Sequence, residues 1–263
     1  MMIIKIGGGA SINLEGIIKD LARQEEPFII VHGANALRDQ LAEKLKQPKK
    51  VITSVSGYSS VFSDEAAIDV MMMAYSGLRN KRIIELCQRN GINAVGLTGL
   101  DGRVIQGRRN RGIKVKEEGR FRLLRDFSGK PQSVNADLLN LLLDNGYIPV
   151  LTVPICDEDG FAINSENDDI VNTLQEQIKA DVIIQLIEAP GFLDNPKDQK
   201  SLVPELSQLE LASREEQVEG RMKRKMLALK KLFESGAQKV IISDGRVDQP
   251  ISDALTGKGT VIQ

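Results

Sequence analysis

The sequence contains no tryptophan, one histidine and two cysteines, and only 4% of its 263 residues are aromatic. A single histidine excludes metal centres built from several histidines, and two cysteines do not form the disulfide framework of small secreted proteins. So few aromatic residues argue against a surface that stacks nucleic-acid bases. With a net charge of −1, the chain also has no overall attraction for polyanions. We therefore expect a reduced, cytoplasmic protein with no nucleic-acid partner.

Long apolar runs are missing too. None approaches the ~20 residues that a helix needs to cross a membrane, and the chain starts in a strand pattern that we do not expect to be a signal peptide. We expect no association with a membrane. Hydrophobic residues nevertheless make up 41% of the chain. This is enough for a sizeable core, in one large α/β domain or in two lobes that share a sheet.

A short apolar run followed by three glycines opens the chain. Ile3–Ile6 read as a buried strand, Gly7–Gly9 follow, and a helical pattern begins near Asn13. Glycines at a strand-to-helix turn let a phosphate approach the backbone, whose N–H groups then point at the anion. Lys5 precedes the glycines, which excludes a P-loop, and Ile12 stands where a Rossmann fingerprint needs its third glycine. A phosphate-binding turn and an ordinary tight turn both remain open on this stretch alone.

A second turn of the same kind follows closely. The apolar segment 28–31 predicts a buried strand that runs into His32-Gly33-Ala34, and a helical pattern comes next. In a parallel sheet both turns lie at the carboxyl ends of strands, which is where ligands bind. We interpret His32 as a structural residue, because it lies inside a strand-end turn and not beside a nucleophile.

Strand and helix patterns alternate along the rest of the chain, which predicts an α/β fold with a mostly parallel sheet. Predicted helices cover 13–25, about 35–45, 134–145 and a segment from Ile170 to Ile178. Two separate helices are predicted between 63 and 91: one is capped by Ser63-Asp64 and carries Ile68 to Leu78, and the other lies around Ile83–Cys87. One long charged helix is predicted over 214–234, with Val218, Met222, Leu229 and Leu232 inward. Further predicted strands cover 92–95, 147–153, 181–187, 239–242 and 260–262. A lobe boundary falls near Pro154.

Residues 101–127 have a different pattern. Turn dipeptides at Asp101-Gly102 and Glu118-Gly119 separate short alternating segments, which predicts β-hairpins. Nine arginines and lysines crowd this stretch. The residues alone leave three interpretations open: a solvated hairpin, a docking site for an acidic protein and, less favoured, an RNA contact.

Several motifs, in this order, resemble the amino-acid kinase family. They are Lys5-Ile6-Gly7-Gly8, Val31-His32-Gly33, the polar loop with Asn164 and Asp168, and Gly220 to Lys225. Within that family the stretches 95–103, 107–109, 220–225, 244–247 and 256–260 are most similar to kinases that phosphorylate 2-aminoadipate, or glutamate, while it is attached to an amino-group carrier protein. N-acetylglutamate kinases share the catalytic frame but resemble the chain less across the hairpins.

The resemblance implies a fold and a separate function for each lobe. The fold would be a three-layer αβα sandwich with a mostly parallel central sheet, plus β-hairpins. An N-terminal lobe, residues 1–154, would bind substrate and carrier and form a homodimer, and a C-terminal lobe, residues 155–263, would bind ATP. The reaction would be attack of the substrate's side-chain carboxylate on the γ-phosphate of ATP, with Mg²⁺ held by the phosphates and not by a metal site of the protein.

The resemblance also implies roles for individual residues. Lys5 and Lys225 would neutralise the transferring phosphoryl group, and Asp168 would hold both lysines in place. The implied substrate contacts are Gly33, Ala34, Val61 and Asn164, and the implied nucleotide contacts are Gly7, Gly8, Gly191 and Lys225. The carrier proteins of the family are acidic, so the basic hairpins would dock one through Arg108, Arg109, Arg120 and Arg122.

Three departures from the family pattern bear on substrate and activity. Val61 stands where an arginine usually pairs with the substrate's α-carboxylate, so either Arg79 or Arg38 supplies this contact or the substrate differs there. Ala34 replaces a glycine, which would be strained if its φ were positive. Ile187 to Gly191 departs from the usual nucleotide-binding turn. An acetylglutamate kinase and a non-catalytic, kinase-like binding protein therefore remain as alternatives.

Overall fold

The computed structural model describes residues 1–53, 55, 59–117, 120–195, 197–217 and 220–263, without the side chains of 59, 60, 117, 216, 217 and 220–225. The strands are β1 (Met2–Ile6), β2 (Phe28–His32), β3 (Val51–Thr53), β4 (Ser59–Val61), β5 (Ala94–Thr98), β6 (Ile105–Arg109), β7 (Ile113–Glu117), β8 (Arg120–Leu124), β9 (Gly129–Val134), β10 (Ile148–Thr152), β11 (Ile155–Cys156), β12 (Ala162–Ile163), β13 (Val182–Ile187), β14 (Glu205–Leu206), β15 (Lys239–Asp244) and β16 (Thr260–Ile262). The helices are α1 (Leu14–Leu21), α2 (Asn35–Lys44), α3 (Glu65–Met71), α4 (Asn80–Arg89), α5 (Ala136–Asp144), α6 (Asn167–Ile178), α7 (Gln208–Gln217), α8 (Gly220–Glu234) and α9 (Pro250–Leu255), with a π-helical segment at Met72–Arg79 and 3₁₀ turns at Asp101–Arg103 and Gln199–Ser201.

One eight-stranded sheet organises the fold. Its order is β14-β16-β15-β13-β1-β2-β10-β5, and every pair is parallel except β15–β16. Strands β1, β2, β10 and β5 precede Pro154 in the chain, and the other four follow it. The mostly parallel sheet is confirmed, whereas the division into two lobes at this point stays a prediction.

Helices cover both faces of the sheet because the central strands are apolar on both sides. In β1, Ile3 belongs to one core and Ile4 and Ile6 to the other. The Ile3 core includes residues of α3, α5, α6, α7 and α8, and the Ile4 core includes residues of α1, α4 and α9. This is the predicted three-layer αβα sandwich. No helix of the described residues is long and apolar enough to cross a membrane.

The two helices predicted between 63 and 91 form one continuous run. Asp64 caps its start by accepting the N–H of Ala67, as predicted, and Gly91 follows its end with a positive φ of 78°. Between α3 and α4 the run has a π-helical segment, which a 3.6-residue pattern does not predict. The run also changes sides, because Met71 packs in the Ile3 core and Ile83 in the Ile4 core.

Other differences have tertiary causes. The long helix predicted over 214–234 is two helices, α7 and α8; Leu229 and Leu232 are buried as expected, while Val218 and the side chain of Met222 lie outside the description. Helix α1 ends at Leu21 and not at 25. Helix α9 was not predicted. Its first N–H groups, those of Ile251 and Ser252, donate to the buried carboxylate of Asp20, a cap that comes from α1 and leaves no local sequence signal.

Of the two predicted hairpin turns, one is wrong. Strands β7 and β8 form an antiparallel hairpin, with Ile113 opposite Leu124; its turn, residues 118 and 119, lies outside the described residues. Asp101-Gly102 instead belongs to a 3₁₀ turn that follows β5. The next strand, β6, pairs with β9 and β11 in a second, four-stranded sheet, because Val104 and Ile105 are fully buried and direct the chain into the core.

Candidate active site

Two of the predicted catalytic residues meet at the carboxyl edge of the main sheet. Lys5 lies one residue before the end of β1, and its side chain is 15% exposed. Its ammonium group forms an ion pair with Asp168 in the first turn of α6. The N-terminus of a helix is a favourable position for a carboxylate, and from there Asp168 holds the ammonium group of Lys5.

The two strand–glycine–helix turns are in direct contact. Gly33 donates its N–H to the carbonyl of Ile6, and Ala36 donates to the carbonyl of Gly8. A Cβ at Gly8 would lie 2.7 Å from the nitrogen of Ala34, and one at Gly33 would lie 3.0 Å from the nitrogen of Gly8. Neither glycine has room for a side chain, because the backbones of the two turns pack directly against each other.

Ala34 fits this turn without strain. It caps α2 with φ −147° and ψ 34°, which lies outside the region of positive φ that favours glycine. The concern that alanine would be costly at this position is therefore removed, and the N–H group of Ala34 keeps the place that a glycine would give it.

His32 is fully buried under the second turn. Asn80 Nδ2 lies 3.1 Å from His32 Nε2 and 3.1 Å from the carbonyl oxygen of Val150, so the amide donates to both and the neutral ring keeps its proton on Nδ1. Burial lowers the pKa of His32 to about 3, and the charge of Arg79 adds to this effect. A ring that stays neutral and packed in this way has a structural role, as the sequence indicated.

Several polar groups of the site were missed at the sequence level. Tyr75 donates a hydrogen bond to Asn35 at the start of α2, and Asn167 Nδ2 would lie 3.2 Å from a Cβ at Gly33. Asn167 Oδ1 and Ser165 Oγ are buried without a hydrogen-bond partner among the described residues. The one available signal was that both flank Asp168 in the same polar loop.

Asn164 and Val61 connect through Ser63. Asn164 Nδ2 donates to Ser63 Oγ (3.1 Å), and Ser63 donates its N–H to the carboxylate of Asp126 (3.1 Å). Val61 ends β4 two residues earlier and is half-buried. These two predicted substrate residues thus belong to one hydrogen-bonded region beside α6, and their substrate contacts remain predictions.

The two arginines considered as replacements at Val61 differ sharply. The guanidinium of Arg38 donates two hydrogen bonds to Asp39, at 3.0 and 2.8 Å, so it is already paired. Arg79 ends the π-helical segment, and its Nε and Nη2 are buried without a partner in the described structure. Burial also lowers the pKa of Arg79. Of these two arginines, Arg79 is the one that lacks an anionic partner in the described part of the chain.

The predicted nucleotide side shows one unexpected group. Glu188 accepts a hydrogen bond from the N–H of Ser11 (2.7 Å), and a Cβ at Gly9 would collide with its carboxylate at 1.9 Å. The carboxylate thus covers the far end of the glycine turn, where the family pattern has a different residue. Gly191 is buried against Thr260, whose hydroxyl accepts the N–H of Phe192 (2.8 Å).

The predicted site also includes Lys225 and no metal ligands of the protein. Lys225 lies in α8, but its side chain is among those outside the description, so its convergence with Lys5 remains a prediction. Within the described residues, no group of three or more His, Cys, Asp and Glu side chains is placed to hold a metal ion.

The four arginines predicted to dock a carrier lie on two separate sheets. Arg108 and Arg109 are on β6, and Arg120 and Arg122 are on the β7–β8 hairpin. Arg109 is engaged within the protein, since its Nε donates to the carbonyl of Asp126 (2.8 Å) and its guanidinium lies 3.9 Å from the centre of the Phe127 ring. The others are exposed.

A sequence profile described as the amino acid kinase family matches residues 1–244. The chain belongs to this family. The predicted resemblance is therefore confirmed, and with it the prediction of an enzyme: an amino acid kinase is a phosphotransferase that uses ATP. The reading as a non-catalytic binding protein is not supported.

Relatives of this amino acid kinase include LysW-aminoadipate kinases and acetylglutamate kinases. It is 38% identical to the LysW-aminoadipate kinase of Thermus thermophilus over the full length of both chains. It is 31% identical to the acetylglutamate kinase of Archaeoglobus fulgidus, with 100% of this chain and 92% of the relative covered. Among solved structures, the carbamate kinase of Giardia has a TM-score of 0.68 at 15% identity, with 99% of this chain and 97% of that chain covered; a likeness at this identity supports the fold alone.

The arrangement of this amino acid kinase suits transfer between anions. The buried, paired Lys5 and the two glycine turns lie at the same edge of the main sheet. Neither His32, which is neutral and buried, nor Cys87, whose pKa burial raises to about 12, is placed as a nucleophile. The individual roles of Lys5, Asp168 and the glycines remain predictions.

Proposed function

We propose that this enzyme transfers the γ-phosphoryl group of ATP to the side-chain carboxylate of 2-aminoadipate, or of glutamate, attached to an acidic amino-group carrier protein. The product is an acyl phosphate in lysine or arginine biosynthesis. The Lys5–Asp168 ion pair beside the two glycine turns carries the chemical part of the proposal. The carrier-linked substrate is supported by the full-length similarity to the Thermus thermophilus enzyme.

The residues act by positioning and charge neutralisation. The attacking carboxylate is already ionised, so no general base is needed. Lys5, oriented by Asp168, offsets the charge that develops on the transferring group, and Lys225 from α8 does so from the opposite side. The N–H groups of Gly8 and Ala34 bind the moving oxygens.

The glycine turns with Gly7 and Gly8 receive the phosphates of MgATP, because glycines let a phosphate approach the backbone closely. Gly191 and Lys225 supply further nucleotide contacts. Mg²⁺ would be held by the phosphates of the nucleotide and would neutralise part of their charge.

Arg79 takes the anion contact that Val61 does not provide. It lies on the run that crosses the carboxyl ends of β2 and β10, one turn after Tyr75, which bonds Asn35, and next to Asn80, which bonds His32. A buried cation without a partner is strongly destabilising. Pairing with the α-carboxylate of the substrate would satisfy its two free donors, whereas Arg38 is already paired with Asp39.

The carrier docks on the basic surface made of Arg108, Arg109 and the β7–β8 hairpin. Exposed Phe121 and Leu123, both 59% exposed, alternate with Arg120 and Arg122 on β8. This alternation places the apolar side chains on the face of the hairpin opposite the arginines, together with Lys114 of β7, which pairs with Leu123. Exposed apolar side chains beside cations are typical of protein-binding surfaces. Because Val55 donates to the carbonyl of Lys114 on β7 (2.8 Å), the hairpin is tied to the loop between β3 and β4, and β4 ends at Val61.

An acetylglutamate kinase is the second candidate, favoured by the similarity to the Archaeoglobus fulgidus enzyme. One assay separates the two. The full-length protein is incubated with ATP, Mg²⁺ and either carrier-linked 2-aminoadipate, carrier-linked glutamate or free N-acetylglutamate, and acyl phosphate is trapped with hydroxylamine. We expect hydroxamate with a carrier-linked substrate; signal with N-acetylglutamate alone would transfer the assignment to the second candidate.

The proposal includes a cytoplasmic homodimer formed through the N-terminal lobe, on the pattern implied by the family. Light scattering on the purified protein tests the assembly, since a dimer has twice the chain mass of 28.9 kDa. A mass of one chain at micromolar concentration would remove the dimer from the proposal.

A further inference from the structure

A pocket that neither Lys5 nor Asp168 lines is formed between α6, α8 and β9. Its volume is about 300 Å³, the lower end of the range of small-molecule sites. The residues around it include Lys130, Lys231, Asp169, Glu176, Glu234 and Asn172. Neither Lys5 nor any glycine of the strand-end turns lines it.

Asn172 is the feature of this pocket that lacks an explanation within the fold. The residue is 6% exposed, and both its amide nitrogen and its amide oxygen are buried without a hydrogen-bond partner among the described residues. A buried polar group without a partner destabilises a protein by about 1–3 kcal/mol. A leucine would fill a helix position of this kind without that penalty, so the amide points to a donor and an acceptor that arrive from outside.

The charges around the pocket are of both signs and are also unpaired. Within the described part of the chain, Lys130, Lys231 and Asp169 form no ion pair. Glu176 accepts one long hydrogen bond from Ser235 Oγ (3.3 Å). A bound cation would leave the charge of the lysines unneutralised, and a bound anion would leave that of the carboxylates unneutralised. The described residues also form no metal-binding cluster.

We propose that this pocket binds a small zwitterion of the size of a free amino acid, with its carboxylate toward the lysines, its ammonium group toward the carboxylates, and the amide of Asn172 bonded to one of them. The volume of about 300 Å³ accommodates one such molecule. The ligand is an effector, not a substrate, because the pocket lies outside the strand-end site. Asp169 follows Asp168 directly in α6, so a bound ligand contacts the helix that holds Lys5.

The test uses binding and not activity, so its outcome is independent of the function proposed above. The full-length protein is titrated separately with each of the twenty standard L-amino acids, by thermal shift and then by calorimetry. We expect saturable binding of at least one of them. Its deamino and decarboxy analogues, which each keep a single charge, are expected to bind at least tenfold more weakly.

Two variants locate the site. Asn172→Leu is expected to raise the Tm of the free protein and to weaken binding at least tenfold, and Lys231→Met is expected to weaken binding to a similar degree. Lys44→Met, an exposed lysine on α2, serves as the matched control and is expected to bind as the parent does. Lys5→Met should also leave the affinity unchanged. Absence of saturable binding, retention of binding in both pocket variants, or its loss in Lys5→Met would overturn the proposal.

Discussion

The strand-end site and the β7–β8 hairpin carry their charges in opposite ways. At the strand ends Lys5 is paired with Asp168 and largely buried. On the hairpin, Arg120 and Phe121 face solvent, and Lys114 lies 4.9 Å from the centre of the Phe121 ring. Paired, buried groups are fixed before a substrate arrives, whereas exposed cations and apolar side chains act only when a partner covers them. Changes in the first region should therefore alter kcat, and changes in the second should alter KM for the carrier.

The largest effect is expected from Lys5→Met. Removing a group that stabilises charge only in the transition state typically lowers kcat by about 10²–10³-fold, and Asp168 would lose its partner as well. KM for the carrier-linked substrate should change little. Steady-state hydroxamate assays measure both constants, with Lys19→Met on α1 as control; a Lys5→Met enzyme with the parent kcat would remove Lys5 from the mechanism.

A charge reversal on the basic surface should act on KM. Arg108→Glu combined with Arg120→Glu is expected to raise KM for the carrier-linked substrate about tenfold, because exposed charges mainly steer association. The salt dependence of kcat/KM should become shallower, while KM for ATP stays unchanged. Arg23→Glu with Lys44→Glu reverses two exposed charges elsewhere. If both double variants behaved alike, the surface would not be the docking site.

Arg79→Met tests the anion contact inside the strand-end site. Loss of a hydrogen bond to a charged group, about 1.5–3 kcal/mol, corresponds to an increase of roughly 10- to 100-fold in KM for the acceptor. Removing an unpaired buried cation should at the same time raise the Tm of the free enzyme.

Arg38→Met is the contrasting variant, since its guanidinium is already bonded to Asp39. It should leave KM near the parent value. A fall in stability on Arg79→Met, with no change in KM, would instead assign Arg79 to the packing of the protein.

The last prediction concerns the pH dependence of stability. His32 is neutral in the fold with a pKa of about 3, whereas its ordinary value is 6.5, so below pH 6.5 the unfolded chain binds a proton that the folded protein does not. The contribution of His32 to the free energy of unfolding is fully present above pH 6.5 and decreases by about 1.4 kcal/mol per pH unit as the pH falls toward 3. Denaturant unfolding between pH 7 and 4 measures how the free energy of unfolding changes with pH. In His32→Gln this slope should be smaller by the contribution of one proton. A slope equal to that of the parent protein would mean that His32 is not held neutral.

Local patterns predicted much of the strand-end site. The two glycine turns and Lys5 could be placed from sequence because each depends on a few adjacent residues. The cap at Asp64 has the same local character. Alternating strand and helix patterns, with strands apolar throughout, also indicated helices on both faces of a parallel sheet.

The features that were missed depend on contacts between distant segments. Helix α9 is capped by Asp20 of α1, and the departure of β6 from the main sheet follows from the burial of Val104 and Ile105. The buried, unpartnered state of Arg79 arises where a helical run passes from one core to the other. No window of local sequence contains such information.

The central claim is that two lysines far apart in the chain meet at one transferring phosphoryl group. A crystal structure with ADP, Mg²⁺, tetrafluoroaluminate and the acceptor tests it most directly, because the fluoride complex occupies the place of that group. We expect the Nζ atoms of Lys5 and Lys225 both to lie within hydrogen-bonding distance of it, about 2.7–3.2 Å. A structure in which either ammonium group lies beyond ~6 Å and faces another surface would contradict the account.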